Sequence, residues 1–261
     1  MKALFATLAF AALTSCQTQV PLEKDGLKLV WSDEFNYEGL PDSSKWEFEE
    51  GGDGFGNHEL QYYTKNRLKN ARVEKGNLII EAHKEKWDKN EYTSAKLQTK
   101  ATQTWTYGRI EVRAKLPKGR GTWPAIWMMS EKMKSWPRDG EIDIMEHVGY
   151  NPGFIHSSVH TQKYNHVINT QKTDTLYVKS AMDKFHVYTL DWTPEKVDVY
   201  VDDTKFYTYK NEEKTYEAWP LDQPFYLILN QAVGGDWGGK EGVDSSIYPQ
   251  KFYIDYVRVY Q

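Results

Sequence analysis

The sequence predicts an all-β protein, a sandwich of two antiparallel sheets, and three observations carry that prediction. Apolar and polar residues alternate with period two along several stretches, and no long stretch keeps a helical period. Gly, Asn, Asp and Pro punctuate the chain between the alternating runs. The length agrees, since 261 residues suit one large β domain and 39% hydrophobic residues can fill its core. A formal net charge of −4 argues against a nucleic-acid partner, because no basic surface neutralises phosphates. Ten Trp and eighteen Tyr are the outlier. Flat ring faces suit the C–H face of a sugar, although aromatic residues also favour strands.

Residues 1–15 read as an export signal: Lys2 precedes an apolar run over 3–13 that is too short to cross a bilayer. The run ends in Leu13-Thr14-Ser15-Cys16, and Cys16 is the chain's one cysteine. This arrangement resembles the bacterial lipobox, in which cleavage leaves the cysteine as an acylated first residue. It implies an exported lipoprotein of the bacterial cell envelope, with the outer membrane as the expected location and lipid on Cys16 as the anchor. A single cysteine leaves neither a disulfide nor a thiol nucleophile to consider. Residues 16–26 read as a polar tether, and 27–261 as one folded domain acting as a monomer.

The clearest strand spans 107–116, where Gly108, Ile110, Val112, Ala114 and Leu116 alternate with Arg109, Glu111, Arg113 and Lys115. Similar patterns place strands over 77–83, 185–192, 225–232 and 252–260. The runs 197–201 and 205–209 flank Asp202-Asp203-Thr204 and predict a tight hairpin. The glycine-rich stretch 51–56 opens no helix, so it reads as a loop over a cleft rim rather than a nucleotide site. The seven His show no zinc-ligand spacing.

The chemistry concentrates in Asp139-Gly140-Glu141-Ile142-Asp143-Ile144-Met145-Glu146-His147. Glu141 and Asp143 are two apart and share a strand face, whereas Glu146, five from Glu141, points to the opposite face of a regular strand. A one-residue bulge at Ile144-Met145 restores it, leaving three carboxyls on one face with Ile142 and Ile144 in the core. Grouped carboxylates raise one another's pKa values. Glycoside hydrolysis exploits that cost, because it needs one ionised and one protonated carboxyl. An acidic strand edge or a calcium site is the structural alternative.

The run Glu141 to Glu146, E-I-D-I-M-E, resembles the catalytic signature of glycoside hydrolase family 16. Gly121-Thr122-Trp123-Pro124-Ala125-Ile126-Trp127, Ser158-Val159-His160-Thr161 and Asp255-Tyr256-Val257-Arg258-Val259-Tyr260 agree with it, and the likeness spans 27–261. The resemblance implies a concanavalin A-like β-jelly roll with a concave substrate cleft, and a retaining double displacement without a catalytic cofactor. It implies Glu141 as nucleophile, Glu146 as general acid and base, Asp143 as the residue tuning the nucleophile, and His160 facing Glu146. Gly56-Asn57-His58-Glu59-Leu60-Gln61 and Asn230-Gln231-Ala232-Val233-Gly234-Gly235-Asp236-Trp237 resemble the laminarinase-like subgroup, which acts on β-1,3-glucan. Implied sugar contacts are Asn57, Arg109, Trp123, Trp127, His147 and Trp237, although either Trp123 or Trp127 could pack in the core. The resemblance also implies a structural calcium held by Glu34, the backbone of Gly76 and Asp255. A mixed-linkage glucanase, a marine galactan hydrolase and a non-catalytic glycan-binding lipoprotein stand as alternatives.

Overall fold

Period-two alternation leaves each strand with one face to bury, and here two sheets bury theirs against each other. The computed structural model describes residues 20–261; the leader over 1–15 and Cys16 lie outside the described residues. In chain order the strands are β1 (Glu23–Lys24), β2 (Leu27–Asp33), β3 (Glu47–Glu49), β4 (Gln61–Tyr63), β5 (Ala71–Glu74), β6 (Asn77–Trp87), β7 (Asn90–Ser94), β8 (Lys96–Gln98) and β9 (Gly108–Lys115). They continue with β10 (Thr122–Ser130), β11 (Glu141–Glu146), β12 (Phe154–His160), β13 (Lys172–Tyr177), β14 (His186–Trp192), β15 (Lys196–Val201), β16 (Thr204–Lys210), β17 (Phe225–Val233) and β18 (Gln250–Tyr260). Every expected strand is present, and the expected hairpin is β15–β16.

One sheet has the order β16-β15-β14-β9-β18-β6-β7-β4, with β1, β2 and β5 attached beside it. The other, the cleft sheet, runs β13-β12-β11-β10-β17-β8-β3. Pairing is antiparallel except between β4 and β7, which are parallel. Ile110, Val112 and Ala114 of β9 meet Ile126 and Met128 of β10, Ile142 and Ile144 of β11, and Leu227 and Leu229 of β17 in one core cluster. Each such side chain contributes about 1.5–3 kcal/mol when fully buried. The domain begins earlier than the expected tether allows. β1 pairs with β2, and Lys24 Nζ lies 2.6 Å from Glu111 Oε1.

The bulge lies where the carboxylate spacing places it. Asp143 pairs with Ser158 and Glu146 with His156, so three steps on β11 oppose two on β12. On the other side Met145 pairs with Ile126 and Asp143 with Trp127, two steps against one. Ile144 and Met145 are therefore both fully buried in the core, and Glu146 returns to the face of Glu141.

The chain leaving β11 is packed tightly. A Cβ on Gly149 would sit 1.8 Å from the Gly119 carbonyl oxygen, so only glycine fits there. Substituting Gly149→Ala should lower unfolding stability by about 3 kcal/mol, read as a reduced urea midpoint with an unchanged slope. An unchanged midpoint would show that this close approach does not constrain the segment.

Candidate active site

The outer face of the cleft sheet gathers the side chains that the core rejects. On β10, Ile126 and Met128 point inward, while Trp123 and Trp127 emerge on the open face in neither core cluster. Both tryptophans therefore belong to the cleft. β11 adds Glu141, Asp143 and Glu146, and β12 adds His156, Ser158 and His160 by register.

The acids are held by indole N–H donors. Trp136 Nε1 donates to Glu141 Oε2 at 2.7 Å, and Trp123 Nε1 donates to Glu146 Oε1 at 3.0 Å. Asp143 is hydrogen-bonded to Glu141 and lies with Oδ2 3.3 Å from His160 Nε2. One side-chain N or O atom from each of Glu141, Asp143 and His160 falls within 4.8 Å of the others. His160 was expected to face Glu146, but it pairs with Glu141 and lies beside Asp143; His156 is the register partner of Glu146. The β11–β12 register decides this.

Burial is the first cause of the electrostatics. It pushes Glu141 up to about 8, helped by the neighbouring Asp143 and opposed by His160 and the Trp136 N–H. It pushes Glu146 up to about 7, with the Trp123 N–H opposing and the charges of Glu141 and Glu59 adding to the rise. Asp143 is raised well above the ordinary range, by burial first and Glu146 second. All three carboxyls are raised and repel one another's charge, so the cluster retains protons at neutral pH. It offers a proton donor in Glu146 and, once Glu141 ionises, a carboxylate nucleophile within one strand.

Other expected contacts divide. Asn57 lies near the cleft: its side-chain N–H donates to Glu59 Oε1 at 3.3 Å, and its carbonyl accepts from Asp236 N at 2.8 Å. Trp237 packs edge-on against Trp123 at 5.5 Å and against His156 at 4.9 Å. Arg109 does not reach the cleft. It lies on β9 in the other sheet, on the face opposite Ile110, where it binds Glu111 at 2.7 Å and Asp191 at 2.9 Å. His147 is also misplaced as a sugar contact, being fully buried with Nε2 accepting the Gly153 N–H at 3.1 Å. Burial, with His156 nearby, depresses it to about 4, so it is a neutral anchor for the loop after β11.

The calcium expectation does not fit the donors. Both oxygens of Glu34 accept from Arg258, at 3.0 and 2.8 Å, and Asp255 is paired with Arg113. Gly76 lies in the turn between β5 and β6 with φ +75°. Guanidinium groups thus neutralise both carboxylates.

Several residues of the site were not expected. The Trp136 ring packs at a tilt 5.0 Å from His166 and 5.9 Å from His160. Its only sequence signal is its position five residues before Glu141. Lys96 is nearly buried, with Nζ 2.8 Å from Glu49 and about 5 Å from the Trp127 and Phe55 rings. Asn230 accepts the Trp127 indole N–H at 2.7 Å and donates to Tyr63 at 3.0 Å, which in turn reaches Glu59. An amide inside the largely apolar β17 is the signal that could have exposed Asn230.

Comparison with known proteins agrees with this geometry. The β-glucanase of Rhodothermus marinus is 54% identical over 243 residues, covering 90% of this chain and 85% of the relative. The crystal structure of the Rhodothermus marinus laminarinase matches with a TM-score of 0.89 and 53% identity, covering 90% of this chain and 97% of that one. A non-specific endo-β-1,3(4)-glucanase co-crystallised with 1,3-β-D-cellotriosyl-glucose matches at a TM-score of 0.89 and 46% identity, covering 91% of this chain and 96% of that one. The model of glycosyl hydrolases family 16 fits residues 58–258, and the chain belongs to that family.

Proposed function

We propose that this chain is a retaining endo-β-1,3-glucanase in which Glu141 is the nucleophile and Glu146 the general acid and base. The carrying observation is the bulged strand, which sets Glu141, Asp143 and Glu146 on one face beneath two indole donors. Glu141 attacks in its ionised form, which His160 and the Trp136 N–H favour against burial and the neighbouring Asp143. The Glu141 carboxylate attacks the anomeric carbon and forms an ester, while the glycosidic C–O bond breaks and the leaving oxygen takes the proton of Glu146. Glu146, now a carboxylate, removes a proton from water. The water oxygen bonds to the anomeric carbon, the ester breaks, and Glu141 departs as carboxylate with configuration retained. Trp123, Trp127 and Trp237 supply stacking faces, and Asn57 a polar contact beside them.

The β-1,3 preference rests on the laminarinase and β-glucanase relatives. The β-1,3(4)-glucanase at 46% identity favours tolerance of β-1,4 links as the second reading. The lipobox-like end supports an exported lipoprotein anchored through Cys16, acting on polysaccharide at the cell envelope.

Reducing-end release should be greatest on laminarin, lower on lichenan and absent on agarose and carrageenan, with NMR showing a first product of retained anomeric configuration. Inversion of that product would contradict the two-step route. Glu141→Gln should abolish turnover while still binding laminarin oligosaccharide, and Glu146→Gln should lower kcat by about 10²–10⁴-fold. Wild-type rates in either variant remove these assignments.

Stability gives an independent check. Glu141 and Glu146 rise from an ordinary 4.5 to about 8 and 7, so the folded chain binds protons that the unfolded chain has released. The contribution of these groups is present below about pH 4.5 and is lost as pH rises to 8. Glu141→Gln should therefore gain thermal stability relative to the parent as pH rises, with the larger Tm advantage at pH 8 and little at pH 4. A Tm difference independent of pH would show that burial does not load the carboxyl.

A further inference from the structure

A one-way chain of hydrogen bonds runs beneath the cleft, from the ring of Trp127 to Glu59. An indole nitrogen can only donate, so Asn230 Oδ1 accepts from Trp127 at 2.7 Å and the Asn230 amide N–H turns to Tyr63 OH at 3.0 Å. The Tyr63 oxygen is thereby an acceptor, and its own proton goes to Glu59 Oε2 at 3.3 Å. Gln61 arrives from the other side. Its Oε1 accepts the Val233 N–H at 2.7 Å, so its Nε2 is the group 2.6 Å from Glu59 Oε2. Asn57 Nδ2 donates to Glu59 Oε1 at 3.3 Å. An indole and a backbone amide therefore fix the sense of the links from Asn230 and Gln61.

Glu59 thus accepts from three side-chain donors. An ionised carboxylate suits that place, because a protonated one would add a fourth donor among donors. Burial raises the proton affinity of Glu59, but Gln61, Asn57, Lys96 and Tyr63 all act the other way. Burial, with the Glu59 charge second, keeps the Tyr63 hydroxyl protonated. The anion also stands close to Glu146. A Cβ on Gly235 would lie 3.3 Å from Glu59 Cγ and 3.3 Å from Cζ3 of Trp123, the indole whose N–H reaches Glu146 at 3.0 Å. From there the Glu59 charge adds to the rise of Glu146.

We infer that Glu59 is a positioning residue whose fixed negative charge, held by the donor chain from Trp127, keeps the proton on Glu146 until the glycosidic oxygen takes it. The inference rests on Glu146 being the general acid, as proposed above. The other ionisable groups around Glu146 are Glu141 and Asp143 on its own strand and His160 and His156 on β12. Lys96 of β8 acts on Glu59, and at the rim His58 and Asp236 pair with each other at 2.9 Å. Glu141 loses its charge when it becomes the ester, and its support for the Glu146 proton goes with it. Glu59 makes no bond in the reaction, so its charge persists through both steps.

The test joins a pH–rate profile on a soluble chromogenic laminari-oligosaccharide to carboxyl ¹³C NMR of the free enzyme. Removing the charge makes Glu146 release its proton more readily. In Glu59→Gln the alkaline limb of kcat/KM should therefore move about one pH unit lower, and the Glu146 midpoint should fall by the same amount. Glu59→Asp, which keeps the charge, should return both toward the parent values. A packing role alone would slow the enzyme at every pH and leave the limb in place. In the parent, where no variant has to fold, Glu59 should lose its proton at lower pH than Glu146. A Glu146 midpoint unmoved in folded Glu59→Gln, or a Glu59 still protonated after Glu146 has ionised, overturns the inference and leaves the glucanase reading standing. A midpoint that falls while the limb stays put upholds the Glu59 coupling and overturns Glu146 as the general acid.

Discussion

The site depends on a single backbone irregularity: one extra residue in β11 turns Glu146 onto the face of Glu141 and Asp143. The distortion is anchored by hydrophobic burial, since Ile144 and Met145 both enter the core. Restoring regular pairing would expose one of those side chains and drive a carboxyl between the sheets, which is far costlier. The core thus enforces the geometry that the chemistry uses. The flanks are held with equal care. Asp139 fixes the preceding loop by accepting from the backbone N–H groups of Lys134 and Ser135 and from Tyr216 OH. That loop delivers Trp136 to Glu141. Beyond the strand, buried His147 and the close approach of Gly149 fix the exit.

Three acids in one groove oppose folding, and the surroundings compensate only in part. Trp136 and Trp123 each supply an N–H, and His160 adds a favourable field at both glutamates. Burial still dominates, so the cluster shares protons instead of carrying three charges. The same imbalance keeps a proton donor available near neutral pH. The strain on folding and the capacity for acid–base chemistry are one property of the site.

Much of this was legible in the sequence, and the remainder was hidden for definite reasons. Period-two alternation located β6, β9 and β14 to β18 and the buried face of β9, and the five-residue spacing of the glutamates placed the bulge at Ile144-Met145. Alternation does not say which sheet a strand joins, so Arg109 was assigned to a cleft that β9 never borders. Adjacency to Glu146 suggested His147 as a contact, but the strand ends there and the chain turns inward. His160 was matched to the wrong glutamate because register depends on the β11–β12 connection, which leaves no local pattern. Glu34 and Asp255 lie far in sequence from Arg258 and Arg113, and their guanidinium partners become evident only once β2, β9 and β18 pair. Trp136 and Lys96 depend on tertiary placement and carry little signal of their own.

Carboxyl ¹³C NMR of selectively labelled protein, titrated from pH 3 to 9, tests the central claim most directly. The account predicts apparent midpoints near 7 to 8 for Glu141 and Glu146, with the Glu146 midpoint falling once Glu141→Gln removes the neighbouring charge. Two independent midpoints at the ordinary glutamate value near 4.5, unmoved by that substitution, would contradict it.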